Sequence, residues 1–230
     1  MIAVIGDVHG CFYTLIELYN KIRRKYKNIP IYCVGDIVDR GNFSCNVMDF
    51  MIEENIKFTP GNHDYMFYHF FKEPTSIFAR SWVFNGNEAT LKSYKNQDEK
   101  VFKHIEIIRQ APLFFDLPDC FISHAGISIK FANLLGGLKQ KEFSEKIDEI
   151  VNVNFKEDSG VMWTRDPLLN LGKLQIVGHT KQLEITYIEN SDAVYIDTGA
   201  FVGNKLSAVI VENSEIIDTL EEKTNMDDII

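Results

Sequence analysis

Five times along this chain a short apolar run stops at a turn made of glycine and one or more polar side chains. Ile2 to Ile5 leads into Gly6-Asp7-Val8-His9-Gly10, and Ile31 to Val34 leads into Gly35-Asp36. Ile56 to Thr59 runs into Pro60-Gly61-Asn62-His63-Asp64, Cys120 to Ser123 into His124-Ala125-Gly126, and Leu174 to Val177 into Gly178-His179-Thr180. Runs this short, bounded by glycine, read as buried strands whose carboxyl ends deliver side chains into tight turns. In open α/β sheets that is the edge where ligands bind. One Gly-Asp after a strand is ordinary turn chemistry. Four of the six histidines at such turns is a pattern that packing alone does not produce.

Helical segments separate the runs. Leu15, Ile16, Tyr19, Ile22 and Tyr26 recur at helical spacing, with Arg23, Arg24 and Lys25 at the end where the helix dipole is negative. Val47, Met48, Met51 and Ile52 mark a second helix. The alternation predicts an α/β fold with a parallel or mixed sheet and polar turns gathered at one edge. Residues 65–112 break the pattern as a helical excursion. Its aromatics, Phe67, Phe70, Phe71, Phe78, Trp82 and Phe84, are expected in its core, and His69 and His104 are expected to be structural or exposed. Leu113 to Leu117 and Cys120 to Ser123 read as paired strands around Pro118-Asp119. Residues 128–151 carry a further helical stretch, and 155–172 is mostly loop. The short strands from Leu174 to Leu220 suggest a second sheet packed on the first. One domain over 1–220 is expected, with residues 221–230 as a frayed or loosely docked acidic tail.

At 230 residues the chain is long enough to bury a core between sheet and helix layers. Its net charge of -9 argues against a broad nucleic-acid surface, which needs clustered Lys and Arg, while leaving a local phosphate site open. No apolar run approaches the roughly 18 residues of a membrane span, and the first residues enter a strand rather than a signal peptide, so a cytoplasmic protein with no membrane partner is expected. Cys11, Cys33, Cys45 and Cys120 show no metal-ligand spacing and read as reduced, buried thiols.

The polar residues at the strand ends are of one chemical kind. Asp7, Asp36 and Asn62, with three imidazoles from among His9, His63, His124 and His179, offer carboxylate, carbonyl and imidazole donors, more than one tetrahedral zinc would use. The set suits two divalent ions of the manganese, iron or zinc type sharing a carboxylate. Such a pair clamps an oxyanion and generates a bound hydroxide near neutral pH, which is hydrolytic machinery.

In order, Gly6-Asp7-Val8-His9-Gly10, Gly35-Asp36-Ile37-Val38-Asp39-Arg40-Gly41, Gly61-Asn62-His63-Asp64, His124-Ala125-Gly126 and Gly178-His179-Thr180 resemble the signature of the calcineurin-like metallophosphoesterases. Within that superfamily they are similar to the phosphoprotein phosphatase branch with its bacterial and bacteriophage serine/threonine phosphatases. The resemblance implies an αββα sandwich of two packed mixed β-sheets flanked by helices. It implies Asp7 and His9 on a first metal ion, Asp36 bridging, and Asn62, His124 and His179 on a second, with manganese the leading choice. His63 would be a general acid held by Asp39, and Arg40 would bind the phosphate. Arg165, in Met162-Trp163-Thr164-Arg165, resembles a second phosphate-binding arginine. The implied reaction is hydrolysis of a phosphate monoester, with phosphoserine or phosphothreonine protein as the leading substrate. Asp64 and Gly126 depart from the protein phosphatase pattern toward the symmetrical dinucleoside tetraphosphatases, whose small phosphate-containing substrate is the alternative. Asp39 stands against that alternative. A non-catalytic phospho-ligand-binding protein would have lost a ligand or His63, and none is lost.

Overall fold

The computed structural model describes residues 1–135 and 140–229. In chain order the elements are β1 (Ile2–Ile5), α1 (Phe12–Lys25), β2 (Ile31–Cys33), α2 (Ser44–Glu53), β3 (Lys57–Phe58), α3 (Asn62–Lys72), α4 (Ile77–Trp82), α5 (Glu88–Ser93) and α6 (Asp98–Gln110). There follow β4 (Phe114–Asp116), β5 (Phe121–Ser123), α7 (Ala132–Leu135), α8 (Gln140–Asn154), β6 (Gln175–Val177), β7 (Thr186–Ile188), β8 (Ala193–Tyr195), β9 (Lys205–Glu212) and β10 (Glu215–Lys223). Residues 136–139, inside the helical stretch expected over 128–151, lie outside the described residues, as does Ile230 of the tail.

Two five-stranded sheets form, ordered β10-β9-β1-β2-β3 and β4-β5-β6-β8-β7. In the first, β1, β2 and β3 are parallel, and β9 runs antiparallel to β1 from Ile2↔Val211 to Ile5↔Ala208. In the second, β5, β6 and β8 are parallel, with β4 and β7 antiparallel at the edges. Both are mixed, as expected.

Side-chain alternation explains the layers. Val4, Tyr32, Val34, Val209 and Val211 of the first sheet form one core cluster with Ile122, Ile176 and Val194 of the second, so the sheets pack face to face. The intervening residues Ala3, Ile5, Cys33, Ala208 and Ile210 face the opposite way, onto Leu15, Leu18 and Ile22 of α1 and Met48 and Met51 of α2. On the far side of the second sheet, Phe121 packs with Ile147, Ile150 and Val151 of α8.

Two expectations are corrected. The strands after Leu174 do not form the second sheet by themselves. That sheet begins with the β4–β5 hairpin, and β9 and β10 return to the first sheet. β9 is buried from Leu206 to Val211, so it needs cover on both faces and takes a central position beside β1, whereas β10 alternates half-buried and exposed at the edge. The segment after residue 220, expected to be frayed or loosely docked, is docked, and firmly. β10 continues to Lys223, and a single turn over Met226–Asp228 docks on α1 with Asp228 fully buried. Cys11, at the N-cap of α1, makes no side-chain cap. Asp228 replaces it from the far end of the chain, accepting from the backbone N–H groups of Tyr13 and Thr14 at 2.9 Å each.

The excursion is a bundle of α3 to α6, with Phe67 and Trp82 buried in its core and His69 and His104 buried within it. Phe84 is the exception among the six aromatics, 88% exposed in the turn after α4. The four cysteines are free and buried. Among the described residues no helix is long and apolar enough to cross a membrane.

Candidate metal centre

The ligand-bearing turns hang from the carboxyl ends of β1, β2, β3, β5 and β6, which the sheet-on-sheet packing brings to one edge. Backbone bonds tie them together: Val8 and His9 N–H to Asp36 O, Gly10 N–H to Ile37 O, Gly41 N–H to His9 O, and Gly178 N–H to His124 O. His9, Asp36, Asp39, Arg40 and His179 all hold positive φ, between 46° and 74°. Non-glycine residues rarely adopt this region, and they cluster there at functional sites.

His9, Asp36 and His63 present donor atoms within 4.8 Å of one another, and so do Asp36, His124 and His179. Asp36 belongs to both groups: its Oδ2 lies 3.4 Å from His9 Nε2 and its Oδ1 3.5 Å from His124 Nε2. Asn62 Oδ1 lies 3.1 Å from His124 Nε2 and 3.0 Å from His179 Nδ1. Asp7 approaches from the other side, its Oδ2 accepting from His179 N–H at 3.0 Å.

Outer bonds fix each imidazole. His9 Nδ1 donates to Val38 O and His124 Nδ1 to Val34 O, both at 2.9 Å, which leaves their Nε2 lone pairs facing inward. His179 is turned over: Nε2 donates to Trp163 O at 3.1 Å, and Nδ1 faces Asn62. Histidines that ligate metals are held by such second contacts. The inward atoms of Asn62, His124 and His179 are then all acceptors, about a hydrogen-bond length apart with no donor between them. Asp7 Oδ1 is buried and has no hydrogen-bond partner. Lone pairs aimed at one another, and an orphaned carboxylate oxygen, are what a divalent cation satisfies, so the donor set fits the metal chemistry read from the sequence.

The charges agree. Burial, with Asp197 and Asp36 nearby, pushes Asp7 well above the usual carboxylate range. Burial also acts to raise Asp36, but the facing imidazoles of His124, His63, His9 and His179 overcome it and hold Asp36 well below that range. Burial lowers His9 and His124, and takes His179 down to about 3, so all three offer neutral nitrogens. Two glycines leave room for the carboxylates: a Cβ on Gly178 would strike Asp7 Oδ1, and one on Gly61 would strike Asp36 Oδ1.

His63 stands at the start of α3, its backbone N–H donating to Asp36 Oδ1 at 3.0 Å. Its Nδ1 donates to Asp39 Oδ2 at 2.7 Å, and Arg40 Nη2 reaches its Nε2 at 2.9 Å. Burial lowers the His63 pKa, but Asp36 and Asp39 outweigh it and the net shift is upward. Arg40 also bonds His9 Nε2 at 3.0 Å through Nη1, and its guanidinium lies 4.1 Å over the Phe201 ring. Arg165 is exposed, and its charge stands near enough to lower His124 and His179. All ten residues singled out from the sequence are therefore gathered around one centre.

Three residues that sequence reasoning missed support it. Trp82 Nε1 donates to Asp39 Oδ2 at 2.7 Å and Thr90 Oγ1 to Asp39 Oδ1 at 2.8 Å, both from the helical excursion. Burial pushes Asp39 up, and the donors His63, Thr90 and Trp82 oppose that rise. Asp64, the third residue of α3, accepts from Gly61, Ile37 and Val38 N–H, closing the α3 N-terminus onto the Asp36 turn. Only Asp64 carried a signal, its place three residues after Gly61.

The chain belongs to the calcineurin-like phosphoesterases, whose family pattern matches residues 1–208. With its paired His/Asp groups it is a metal-dependent phosphoesterase, a hydrolase. It is similar to the bis(5′-nucleosyl)-tetraphosphatase PrpE, described as asymmetrical, of Anoxybacillus flavithermus, with 29% identity over 93% of this chain and 91% of that one. The protein of the same name from Oceanobacillus iheyensis is 30% identical over 94% and 90% of the two chains. In fold it is similar to a cold-active protein-tyrosine phosphatase of a psychrophilic Shewanella species, with a TM-score of 0.62 at 16% identity, covering 97% of this chain and 80% of that one.

Proposed function

We propose that this protein hydrolyses the phosphoanhydride chain of a dinucleoside tetraphosphate at a two-metal centre. Asp7, His9 and Asp36 would hold one divalent ion, and Asp36, Asn62, His124 and His179 the other, with manganese the metal to try first. The observation that carries the metal assignment is the convergence of Asn62 Oδ1, His124 Nε2 and His179 Nδ1 with no proton among them. Bound there, the ions supply positive charge to the phosphoryl oxygens and activate the attacking water. Arg40 and Arg165 would grip the equatorial oxygens, the guanidinium of Arg40 lying over Phe201. His63, oriented by Asp39, would give its proton to the departing oxygen. The substrate class rests on the relatives named tetraphosphatases along nearly the whole chain.

One feature favours a second reading, hydrolysis of phosphoserine or phosphothreonine in proteins. A departing alkoxide needs a proton far more than a departing polyphosphate does, and the buried His63–Asp39 pair at 2.7 Å is built to deliver one. Side-by-side kinetics on a dinucleoside tetraphosphate and a phosphothreonine peptide test the choice. The first reading expects kcat/KM at least about 100-fold higher on the dinucleotide, a gap of the size that pocket contacts can supply; the reverse ranking overturns it. Product analysis adds the cleavage position: two nucleoside diphosphates for symmetrical cleavage, a mono- and a triphosphate for asymmetrical.

A further inference from the structure

We infer that the cavity beside His179, lined by Arg165, Leu168, Thr180, Gln182, Thr186 and Tyr195, is a nucleoside subsite of the metal centre. The inference rests on the dinucleotide reading above and gives it a location.

The cavity adjoins the centre through two residues close in sequence to the His179 turn and its carbonyl partner. Thr180 follows His179, and Arg165 lies two residues beyond Trp163, whose carbonyl accepts from His179 Nε2 at 3.1 Å. Arg165, assigned above to the phosphate, is itself a lining residue of the cavity, so one side chain borders both places. The volume, about 410 Å³, falls within the range of small-molecule sites. Its lining is of the matching kind. Tyr195 is half-buried, packed with Leu168 and Val177, and Ile188 adds apolar surface for a base. Gln182 Nε2 donates to Thr180 O at 3.0 Å and Thr186 Oγ1 to Glu184 O at 2.9 Å, so what the two residues hold out for the base edge or ribose is an amide oxygen and a hydroxyl lone pair, both acceptors. Asp166 also lines the cavity, but Ser128 Oγ at 2.7 Å and Lys130 Nζ at 3.0 Å engage its carboxylate, so it does not oppose an anionic ligand.

A second cavity, about 360 Å³ and lined by Pro60, Tyr65, Tyr68, Arg109 and Phe155, is richer in aromatics. It is the weaker candidate, because no phosphate-side residue lines it and its arginine is already forked onto Glu106.

The test compares α,β-methylene adenosine diphosphate with methylenediphosphonate, neither hydrolysable, by calorimetry on the manganese-loaded full chain. The pair share the diphosphonate and differ by the nucleoside, and the free diphosphonate carries the greater charge, which biases the comparison against the inference. The nucleotide is expected to bind at least about tenfold tighter, the scale of one base–aromatic contact. Tyr195→Ala, which removes the ring, and Thr186→Trp, which fills the cavity, should each cut that ratio to within about twofold. Hydrolysis of p-nitrophenyl phosphate and affinity for the diphosphonate should hold in both variants, which separates a lost subsite from a damaged fold. Equal affinity of the two ligands for the wild-type protein, or a ratio kept by both variants, overturns the subsite. A protein that shows the ratio yet leaves a dinucleoside tetraphosphate uncut overturns the substrate reading and leaves the subsite standing.

Discussion

Replacing Asp228 by asparagine isolates the bond between the C-terminal segment and the first helix. The Asp228 side chain is fully buried, with Oδ1 accepting from Tyr13 N–H at 2.9 Å and Oδ2 accepting from Thr14 N–H at 2.9 Å and Thr14 Oγ1 at 2.6 Å. These are the second and third residues of α1, whose N–H groups have no partner inside the helix. Asparagine keeps one acceptor oxygen and turns an NH2 group toward donors, leaving at least one buried N–H unsatisfied at a cost of about 1–3 kcal/mol. Losing the anion at the positive end of the helix dipole adds about 0.3–1 kcal/mol. A loss near 3 kcal/mol follows, or roughly 6–12 °C in Tm for a chain of this size. The control is Asp227→Asn, one residue earlier with its side chain exposed, which should stay within about 0.5 kcal/mol of wild type. Thermal unfolding of the metal-loaded proteins by circular dichroism decides the matter. If the two variants melt together, the tail does not cap the helix.

Gly178→Ala places a methyl group against Asp7 Oδ1; manganese affinity by calorimetry should fall at least about tenfold while far-ultraviolet circular dichroism is unchanged. His63→Asn should lower kcat on the order of 10²–10⁴-fold with metal content retained, and a fall in metal content would make His63 a ligand instead. Trp82→Phe keeps a ring in the excursion core and removes only the bond to Asp39; kcat should drop about 3–10-fold on an alkyl phosphate and less on p-nitrophenyl phosphate, whose leaving group needs little acid help. Burial raises Asp7, and takes Asp197 up to about 6, so the metal-free protein holds protons there that a cation must displace. Manganese affinity should therefore rise from about pH 5 to pH 8, and the metal-free fold should lose stability as pH climbs through the same carboxylate values; an affinity that is flat or falls with pH would contradict both.

The strand ends were legible because each carries its own local mark, an apolar run cut off by glycine. That mark fixes where Asp7, His9, Asp36, Asn62, His63, His124 and His179 stand along the chain, and parallel packing brings such ends to one edge without further information. Sheet membership has no local mark. An apolar run reports how many of its faces need cover, not which strand provides the edge, and so β9 and β10 could be read as strands while their return to β1 could not. Trp82 and Thr90 were illegible for a related reason: they meet Asp39 from 43 and 51 residues away, and an indole in an aromatic-rich helix gives no sign that its N–H is committed to a carboxylate. Asp228 looked like one more acid in a polar tail. Its signal lay in α1, whose first turn contains no acidic residue and whose N-cap is a cysteine, a helix start that leaves donors for something else to satisfy.

The excursion and the tail serve the same physical purpose. Positive φ at His9, Asp36, Asp39, Arg40 and His179 disfavours those turns by about 1 kcal/mol or more at each residue. Turns so strained relax unless other groups hold them, and each is held from outside its own strand. The Asp36 to Arg40 loop is gripped by Asp64 at Ile37 and Val38, by Ser44 and Thr90 at the Asp39 N–H, and by Gly86 O at the Arg40 N–H. Asn42, two residues after Arg40, gives its N–H to Asp228 O in the tail. The His179 turn is pinned by Asp7 Oδ2 and Trp163 O. Donor atoms on strained but over-determined turns cannot swing apart to relieve their mutual repulsion, and a cation is then the remaining way to relieve it. The helical excursion, which contributes Trp82, Gly86 and Thr90, is therefore part of the centre's scaffold as well as its wall.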